Sequence, residues 1–317
     1  MVGFMRVYAS NLDRSGAALF WARPASEELC FSLREMGQLD PVLVRPGGDG
    51  YRLLSGYQRV DALCRMNEPI TAHCMDGPTD PVGDGLLYLH ANFLRDVDDV
   101  MRIQALRYFQ SLLTPDEMAR RVAVLLRLQP RSGAWQRHLA WLRLPRTWDV
   151  HLQAGNIPLA AGQILEQFSR ADLDALEPCF RNLKWSQGRA VQWLTFLREI
   201  SLREGWTLER ILEIASSAQI LEAGLSPQDT LQRLVAQARK LRYPNLTELE
   251  RQFEDLNSEL LGSSRWTLTP SQDFETDQVE LRLRARTPQD IKDAALALQK
   301  AAASDDLPQL FRLVAKG

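Results

Sequence analysis

Short apolar runs separated by turn residues mark the first hundred positions of the chain. Pro41–Arg45 and Tyr51–Leu54 are two such runs with glycines between them, which predicts a β-hairpin. A helix is predicted over Val60–Met66, and a further strand over Ile70–Met75. This mixture of strands and helices predicts a compact α+β domain at the start of the chain.

From about residue 96 to residue 244, apolar positions recur at the spacing of helices. The segment Thr114–Glu117 is a strong helix start, because Thr can cap the helix, Pro fits its first turn and Glu can bond back to the cap. We expect this helix to run from Pro115 to about Leu128 and the next from Ala134 to Leu144. The whole region is predicted to be helical.

The pattern changes again after Pro244. A helix with one apolar stripe is followed by two strand candidates, Arg265–Thr269 and Val279–Ala285, and by an alanine-rich helix that starts at Thr287. Such an α-β-β-α module buries little apolar surface alone, so we expect it to dimerise. The predicted domains are the α+β domain, the helical domain and this module, at residues 1–95, 96–244 and 245–317.

The composition is that of a soluble globular protein, since 45% of the 317 residues are hydrophobic and 25% are charged. No apolar run reaches the roughly 18 residues of a membrane span, and the first residues lack the pattern of a secretion signal. The four cysteines form no C-x-x-C pair. We therefore expect a cytoplasmic protein with reduced thiols and no membrane contact.

The charge is distributed unevenly along the chain. A net charge of −2 would argue against a nucleic-acid partner, yet residues 117–146 carry seven basic side chains and one acidic side chain. Because neutralising phosphates requires clustered Lys and Arg, we expect any polyanion to bind in this window.

Six segments carry motifs whose order along the chain is informative. They are Ser32–Val44, Tyr51–Ala62, Ala91–Arg95, Leu113–Ala119, Leu142–Pro145 and Leu152–Gly162. In motif and in order they resemble the ParB partition-protein family, and the resemblance covers roughly the whole chain. It implies an α+β fold class with a ParB/sulfiredoxin-like N-terminal domain, a central all-helical domain with a helix-turn-helix-like segment, and a C-terminal α-β-β-α dimerisation module.

The resemblance implies a nucleotide site at the loop before the helix that follows the hairpin. A glycine at that place lets backbone amides approach a phosphate, and Arg59 can add a bidentate contact. Without the resemblance, the G-x-x-R pattern is weak and favours a surface ion pair for Arg59. With it, CTP is the implied ligand and Mg²⁺, held at Asn92, the implied metal. The predicted nucleotide-binding residues are Gly56, Tyr57, Gln58, Arg59, Asn92 and Arg95.

Three positions depart from the family pattern. Tyr57 and Ala91 stand where the family has Glu, and Gln58 stands where its loop has an Arg. Because Mg²⁺ prefers carboxylate and phosphate oxygens, we expect weak metal binding, little or no CTP hydrolysis and reduced nucleotide affinity. The loop also lacks the nucleophilic cysteine of sulfiredoxin, so a sulfinic-acid reductase is not expected.

The basic window contains a second candidate site. We expect the N-terminal half of the Ala134–Leu144 helix to be exposed like that of a recognition helix, with Arg and Gln reading bases and neighbouring groups holding phosphates. The predicted DNA-binding residues are Arg131, Ser132, Gln136, Arg137 and His138. A solvated arginine-rich face is the alternative. Relative to the family's tight connection, Val124–Gln129 are extra, so either a longer first helix or a remodelled turn is expected.

Together these features predict a ParB-like DNA-binding protein of plasmid or chromosome partition, or of linked transcriptional control. We expect a nucleoid-associated homodimer in the cytoplasm, with DNA as its partner and a ParA-type ATPase as a further candidate partner. Two alternatives stay open. One is an adaptor that keeps the fold for protein contacts without recognising DNA, and the other is a residual CTP hydrolase.

Overall fold

A mixed five-stranded sheet lies at the start of the chain in the computed structural model, which describes residues 4–77, 80–262, 264–271 and 274–315. Its strands are β1 (Phe4–Val7), β2 (Leu12–Asp13), β3 (Val42–Gly47), β4 (Gly50–Ser55) and β5 (Ile70–Cys74). Their order is β1-β5-β3-β4-β2, with β3 antiparallel to β4 and parallel to β5. The predicted hairpin and third strand are confirmed, whereas the edge strands β1 and β2 are additions that the sequence pattern does not predict.

Three helices accompany this sheet. They are α1 (Glu27–Met36), α2 (Tyr57–Met66) and α3 (Pro81–Ala91). Helix α2 packs against β3 and helix α3 against β4. The alternation of the strands places Val42, Val44 and Leu53 in the core, where they are almost fully buried, as is Val60 of α2. The N-terminal region is thus an α+β fold, as predicted.

The described elements between residues 96 and 244 are all helical, which confirms the prediction from periodicity. They are α4 (Asp99–Phe109), α5 (Pro115–Arg121), α6 (Gly133–Arg143), α7 (Asp149–Gln153), α8 (Gly162–Leu165), α9 (Arg170–Leu176), α10 (Pro178–Arg181), α11 (Gln187–Glu204), α12 (Leu208–Ile214), α13 (Ser217–Glu222) and α14 (Pro227–Arg242). Contacts between Cα atoms group the chain into two units, Met1–Val191 and Gln192–Gly317. The three-domain division at residues 95 and 244 stays a prediction.

Helix α5 begins as predicted but ends early. The Thr114 hydroxyl accepts a hydrogen bond from the Glu117 amide at 3.3 Å, and the Glu117 carboxylate accepts one from the Thr114 amide at 2.9 Å. The predicted end near Leu128 is wrong, because the helix stops at Arg121 and the chain continues in turns. Of the two alternatives for the extra residues, the structure contains the remodelled turn.

An ion pair between the buried Arg107 and the half-buried Asp149 joins three helices of the first unit. Arg107 of α4 donates from Nε and Nη2 to the two carboxylate oxygens of Asp149, both at 3.0 Å, at the start of α7. It also donates to the carbonyls of Trp141, Leu142 and Leu144 at the end of α6. The last carbonyls of a helix lack partners within it, so one guanidinium both caps α6 and fixes its end against α4 and α7.

The second unit ends in a module built around two strands. After the helices that precede residue 244 come α15 (Pro244–Leu261), β6 (Trp266–Pro270), β7 (Val279–Leu283), α16 (Pro288–Ala302) and α17 (Asp306–Val314). β6 and β7 pair antiparallel, and α15 packs against α17. Phe253, Phe274 and Leu310 form the centre of its core. The predicted α-β-β-α order is present, and α17 adds a further helix.

Membrane insertion can also be judged from the helices. Within the ranges that the structure describes, no helix combines the length and the apolar character that a membrane crossing requires.

We expect Arg107→Met to lower the free energy of unfolding by about 3 kcal/mol, because the half-buried Asp149 carboxylate and three carbonyls lose their donor. Urea unfolding followed by tryptophan fluorescence measures the loss. Arg170→Ala is the matched control, since this exposed arginine pairs with Asp174 on the surface and should cost less than about 1 kcal/mol. A loss for Arg107→Met no larger than that of the control would contradict the assigned role.

Candidate functional site

The first candidate site is a cavity of about 570 Å³ in the N-terminal region. This volume falls within the roughly 300–1,000 Å³ of small-molecule sites. The cavity is bordered by the start of α2 and by the segment that follows α3. All six residues predicted to bind a nucleotide line it: Gly56, Tyr57, Gln58, Arg59, Asn92 and Arg95. Residues that are 33 or more positions apart in sequence thus meet at one surface.

Gly56 makes the turn from β4 into α2. Its φ is +99°, a left-handed backbone conformation that favours glycine. A Cβ atom at this position would lie 2.6 Å from Cγ1 of the buried Val42. Both constraints require glycine here. Helix α2 therefore starts without a side-chain cap, and the first three residues of the helix line the cavity.

Arg59 is fixed by the backbone before β3. Its Nη1 donates to the carbonyls of Asp40 at 2.7 Å and Pro41 at 3.0 Å. Burial lowers the pKa of the Arg59 guanidinium, and the nearby Asp40 carboxylate opposes that shift. Arginine stays protonated across the physiological range despite such shifts, so Arg59 places a positive charge at the cavity wall.

Asn92 and Arg95 come from the end of α3. The Asn92 side chain donates from Nδ2 to the carbonyl of Tyr88 at 2.8 Å, so its amide caps the helix and its Oδ1 is the atom left for a ligand. Arg95 lies beside the buried Tyr88 phenol, whose pKa is raised by burial, while the charge of Arg95 lowers it. The pair Arg59 and Arg95 gives the cavity two guanidinium groups.

The cavity also contains residues that sequence reasoning missed. Trp21, Asp40, Ser55, Tyr88 and His90 are among its lining residues. Asp40 and Ser55 lie within motif segments, and His90 directly precedes one, so the motifs themselves could have identified them. Trp21 belongs to an irregular stretch between β2 and α1, and no local pattern points from it to this cavity.

The second candidate site is the surface formed by α5, the turn and α6. Arg131 and Gln136 are exposed, and both line a groove together with Arg120 of α5. The Arg137 side chain lies over the start of α6, where a Cβ atom on Gly133 would be 3.7 Å from its Nη1. Gln136 and Arg137 thus lie in the N-terminal half of α6, as predicted, while Arg131 lies in the turn and Arg120 on α5.

Ser132 has a structural task at this surface. Its hydroxyl accepts a hydrogen bond from the Trp135 amide at 3.2 Å and donates to the carbonyl of Gln129 at 2.7 Å. Ser132 is therefore the N-cap of α6 and closes the turn before it. Its side chain is half-buried.

The prediction that His138 lies on the exposed half of the helix is wrong, because its side chain is only 2% exposed. Nδ1 bonds to the Ala134 carbonyl at 2.8 Å, and Nε2 lies 3.3 Å from Oδ1 of Asp99 in α4. Burial lowers the pKa of His138, which favours a neutral ring. The neutral ring donates its hydrogen bond to the Ala134 carbonyl. His138 therefore packs α6 against α4 and is not a candidate DNA-binding residue.

The remodelled turn reaches back to the wall of the cavity. Arg127 has a positive φ of 56°, and its Nη2 donates to the carbonyl of Phe93 at 3.2 Å. Arg102 of α4 holds the neighbouring Leu126 carbonyl through Nε at 3.1 Å. Phe93 lines the cavity. The extra residues therefore contact both α4 and the segment that follows α3.

Comparison with known proteins gives one sequence relative and several structural likenesses. No protein-family model matches the chain. The chain is 35% identical over 106 residues to the chromosome-partitioning protein Spo0J of Thermus thermophilus, a match that covers 32% of this chain and 38% of Spo0J. It thus spans less than two fifths of that relative's length. This similarity confirms the predicted resemblance to the ParB partition proteins.

Three solved structures are similar to parts of the chain. C-terminally truncated ParB from Caulobacter crescentus complexed to the centromeric parS site has a TM-score of 0.36 and 17% identity, covering 74% of this chain and 99% of its own. The same protein complexed with CTP-gamma-S has a TM-score of 0.24 and 20% identity, covering 56% and 98%. A Pnob8-like ParB-N domain has a TM-score of 0.34 and 16% identity, covering 80% and 97%.

We expect Gly56→Ala to destabilise the N-terminal region more than Gly48→Ala does. Both glycines have positive φ, but a Cβ atom on Gly48 meets nothing within 4 Å. Backbone strain alone should cost Gly48→Ala about 1–2 kcal/mol, and the clash with Val42 should add about 1–3 kcal/mol at Gly56. Urea unfolding of the two variants measures the difference. Equal losses in the free energy of unfolding would show that the Val42 side chain moves aside at no cost.

Proposed function

We propose that the chain is a ParB-like DNA-binding protein that acts in plasmid or chromosome partition, or in linked transcriptional control. The observation that carries this proposal is the surface at the start of α6. There, Gln136 and Arg137 lie in the N-terminal half of α6, Arg131 directly precedes the Ser132 cap, and Arg120 of α5 lines the same groove as Arg131 and Gln136. Side chains in this position can reach base edges and phosphates when the helix enters a major groove.

Charge supports the same assignment. The two helices and their turn lie in the window of seven basic side chains and one acidic side chain. Most of these arginines are exposed, while Arg102 and Arg107, which precede the window, are engaged with protein groups. A local cationic surface in a chain of net charge −2 favours a polyanionic partner at this place over a uniformly solvated face.

The proposal extends to a nucleotide and to assembly. CTP would bind in the cavity through the start of α2 and through Arg59, Asn92 and Arg95. Little or no hydrolysis would follow, because Tyr57 and Ala91 supply no carboxylate. The active form would be a homodimer, nucleoid-associated in the cytoplasm, with a ParA-type ATPase as a candidate partner. The similarity of a third of the chain to Spo0J supports the partition role.

We expect the full chain to bind DNA from its own gene neighbourhood with an affinity that falls steeply as salt increases. Arg131→Ala and Arg137→Ala should each weaken binding and lower the slope of log K against log salt by about 1, because each removes one phosphate contact. Electrophoretic mobility shifts across a salt series measure both quantities. Because a base contact would instead relax sequence preference, the assay includes a scrambled fragment.

Arg170→Ala is the control for these variants, since Arg170 is exposed like Arg131 but lies on α9 and pairs with Asp174. It should leave the affinity and the slope unchanged. If the unchanged chain shows no DNA affinity at low salt, the DNA-binding proposal is wrong and the adaptor alternative gains support.

We expect the chain to sediment at twice its mass of 36.0 kDa. Ile291 and Leu296 of α16 and Phe311 of α17 are large apolar side chains that are exposed in the single chain, and burying them in a partner would stabilise a dimer. Analytical ultracentrifugation tests this, with Leu296→Asp expected to shift the equilibrium towards monomer. Lys184→Asp, which introduces aspartate at an exposed position outside this module, is the control and should remain dimeric.

A further inference from the structure

We infer that the cavity binds its triphosphate ligand without a divalent cation, with two arginine side chains supplying the positive charge that a metal ion would otherwise provide. This inference rests on the proposed nucleotide site and concerns its chemistry. It follows from three features of the cavity wall: the oxygen donors it offers, the cations it holds and the way those cations are fixed.

The donors of the cavity do not fit Mg²⁺. This ion takes octahedral oxygen ligands and is usually held by one or two carboxylates together with substrate phosphates. Among the described residues that line the cavity, Asp40 carries the one carboxylate. That carboxylate lies near the Arg59 guanidinium and interacts with its charge. Ala91 and Tyr57, on either side of the cavity, contribute a methyl group and a phenol.

The remaining oxygen donors among the described lining residues are neutral: the amides of Gln58 and Asn92, the hydroxyl of Ser55 and the phenols of Tyr57 and Tyr88. Neutral oxygens provide little of the charge that a dication requires. Across the ranges that the structure describes, no group of three His, Cys, Asp or Glu side chains is placed to hold a metal ion. The ligand set therefore disagrees with the Mg²⁺ that the family resemblance implies.

The positive charge that a triphosphate needs comes instead from side chains of the cavity wall. Arg59 and Arg95 both line the cavity, and each contributes a guanidinium group with a positive charge. Guanidinium groups bind phosphate oxygens bidentately, which a point charge cannot do. The amides at the uncapped start of α2 add partial positive charge next to Arg59.

The geometry fixes one of these charges before any ligand arrives. Nη1 of Arg59 is held by the two carbonyls of Asp40 and Pro41, while its Nη2 lies near Gly56 at the start of α2. A guanidinium held in this way pays little side-chain entropy on binding. A triphosphate at this wall meets charge that is already in place, so a metal ion is not needed to neutralise it.

Calorimetric titration of the full chain with CTP, in excess EDTA and in MgCl₂, tests the inference. The two dissociation constants should agree within about threefold. Binding that is about tenfold or more tighter with Mg²⁺ would overturn the inference but leave the nucleotide site intact. Absence of binding in both buffers would reject the proposed nucleotide site and this inference together.

Two variants at Ala91 sharpen the test, because this residue is exposed at the last position of α3 and its replacement should not disturb the core. Ala91→Glu should weaken CTP binding in EDTA by about tenfold or more and regain affinity when Mg²⁺ is added, because the new carboxylate repels phosphate and can ligate the metal. Ala91→Gln, of equal size and without charge, should bind equally in both buffers. If Ala91→Glu binds CTP in EDTA as well as the unchanged chain does, the cavity does not depend on its positive charge.

Arg95→Ala measures the contribution of the second arginine. It should lose about tenfold or more in CTP affinity in EDTA, since a charge-assisted contact to phosphate is removed. Arg34→Ala is the control, because Arg34 is exposed on α1 and does not line the cavity. Equal affinities for these two variants would contradict the role given to Arg95.

Discussion

The ion pair between the buried Arg107 and Asp149 is the constraint on which the helical part of the first unit depends. A guanidinium that is almost fully withdrawn from water is costly unless each of its donors finds an acceptor. Here the acceptors are a carboxylate and the last carbonyls of α6, and Asp149 also accepts from the Trp141 indole at 2.8 Å. The end of α6 is thereby fixed to α4, while Gln136 in the first half of the same helix remains exposed.

The walls of the cavity are likewise fixed by a few contacts with the backbone. Gly56 allows the chain to turn from β4 into α2 close to Val42. Arg59, one turn later, is held by the backbone that leads into β3. The end of α3 supplies the opposite wall. Helices α2 and α3 place both walls, and interactions between lining residues, such as Asp40 with Arg59 and Arg95 with Tyr88, complete the arrangement.

A structural feature could be predicted from the sequence when the residues that cause it are neighbours along the chain. The glycine at residue 56, the cap at Thr114 and the hairpin act through neighbouring residues, so sequence sufficed for them. The end of α5 could not be predicted from the sequence. Val122, Ala123 and Leu126 continue the apolar spacing of a helix, but in the structure they are buried as part of a turn. The burial of His138 and the Arg107 pair depend on α4, a partner distant in sequence, and were not foreseen.

The turn before α6 has a consequence for how this chain can change. Because Arg127 bonds to the Phe93 carbonyl, the length of that turn is tied to the wall of the cavity. A chimaera that replaced residues 115–143 with a shorter helix pair would restore a tight connection but remove this donor. Cavity and helix pair are therefore not interchangeable modules, and a transplanted DNA-binding segment would have to bring a substitute for Arg127 with it.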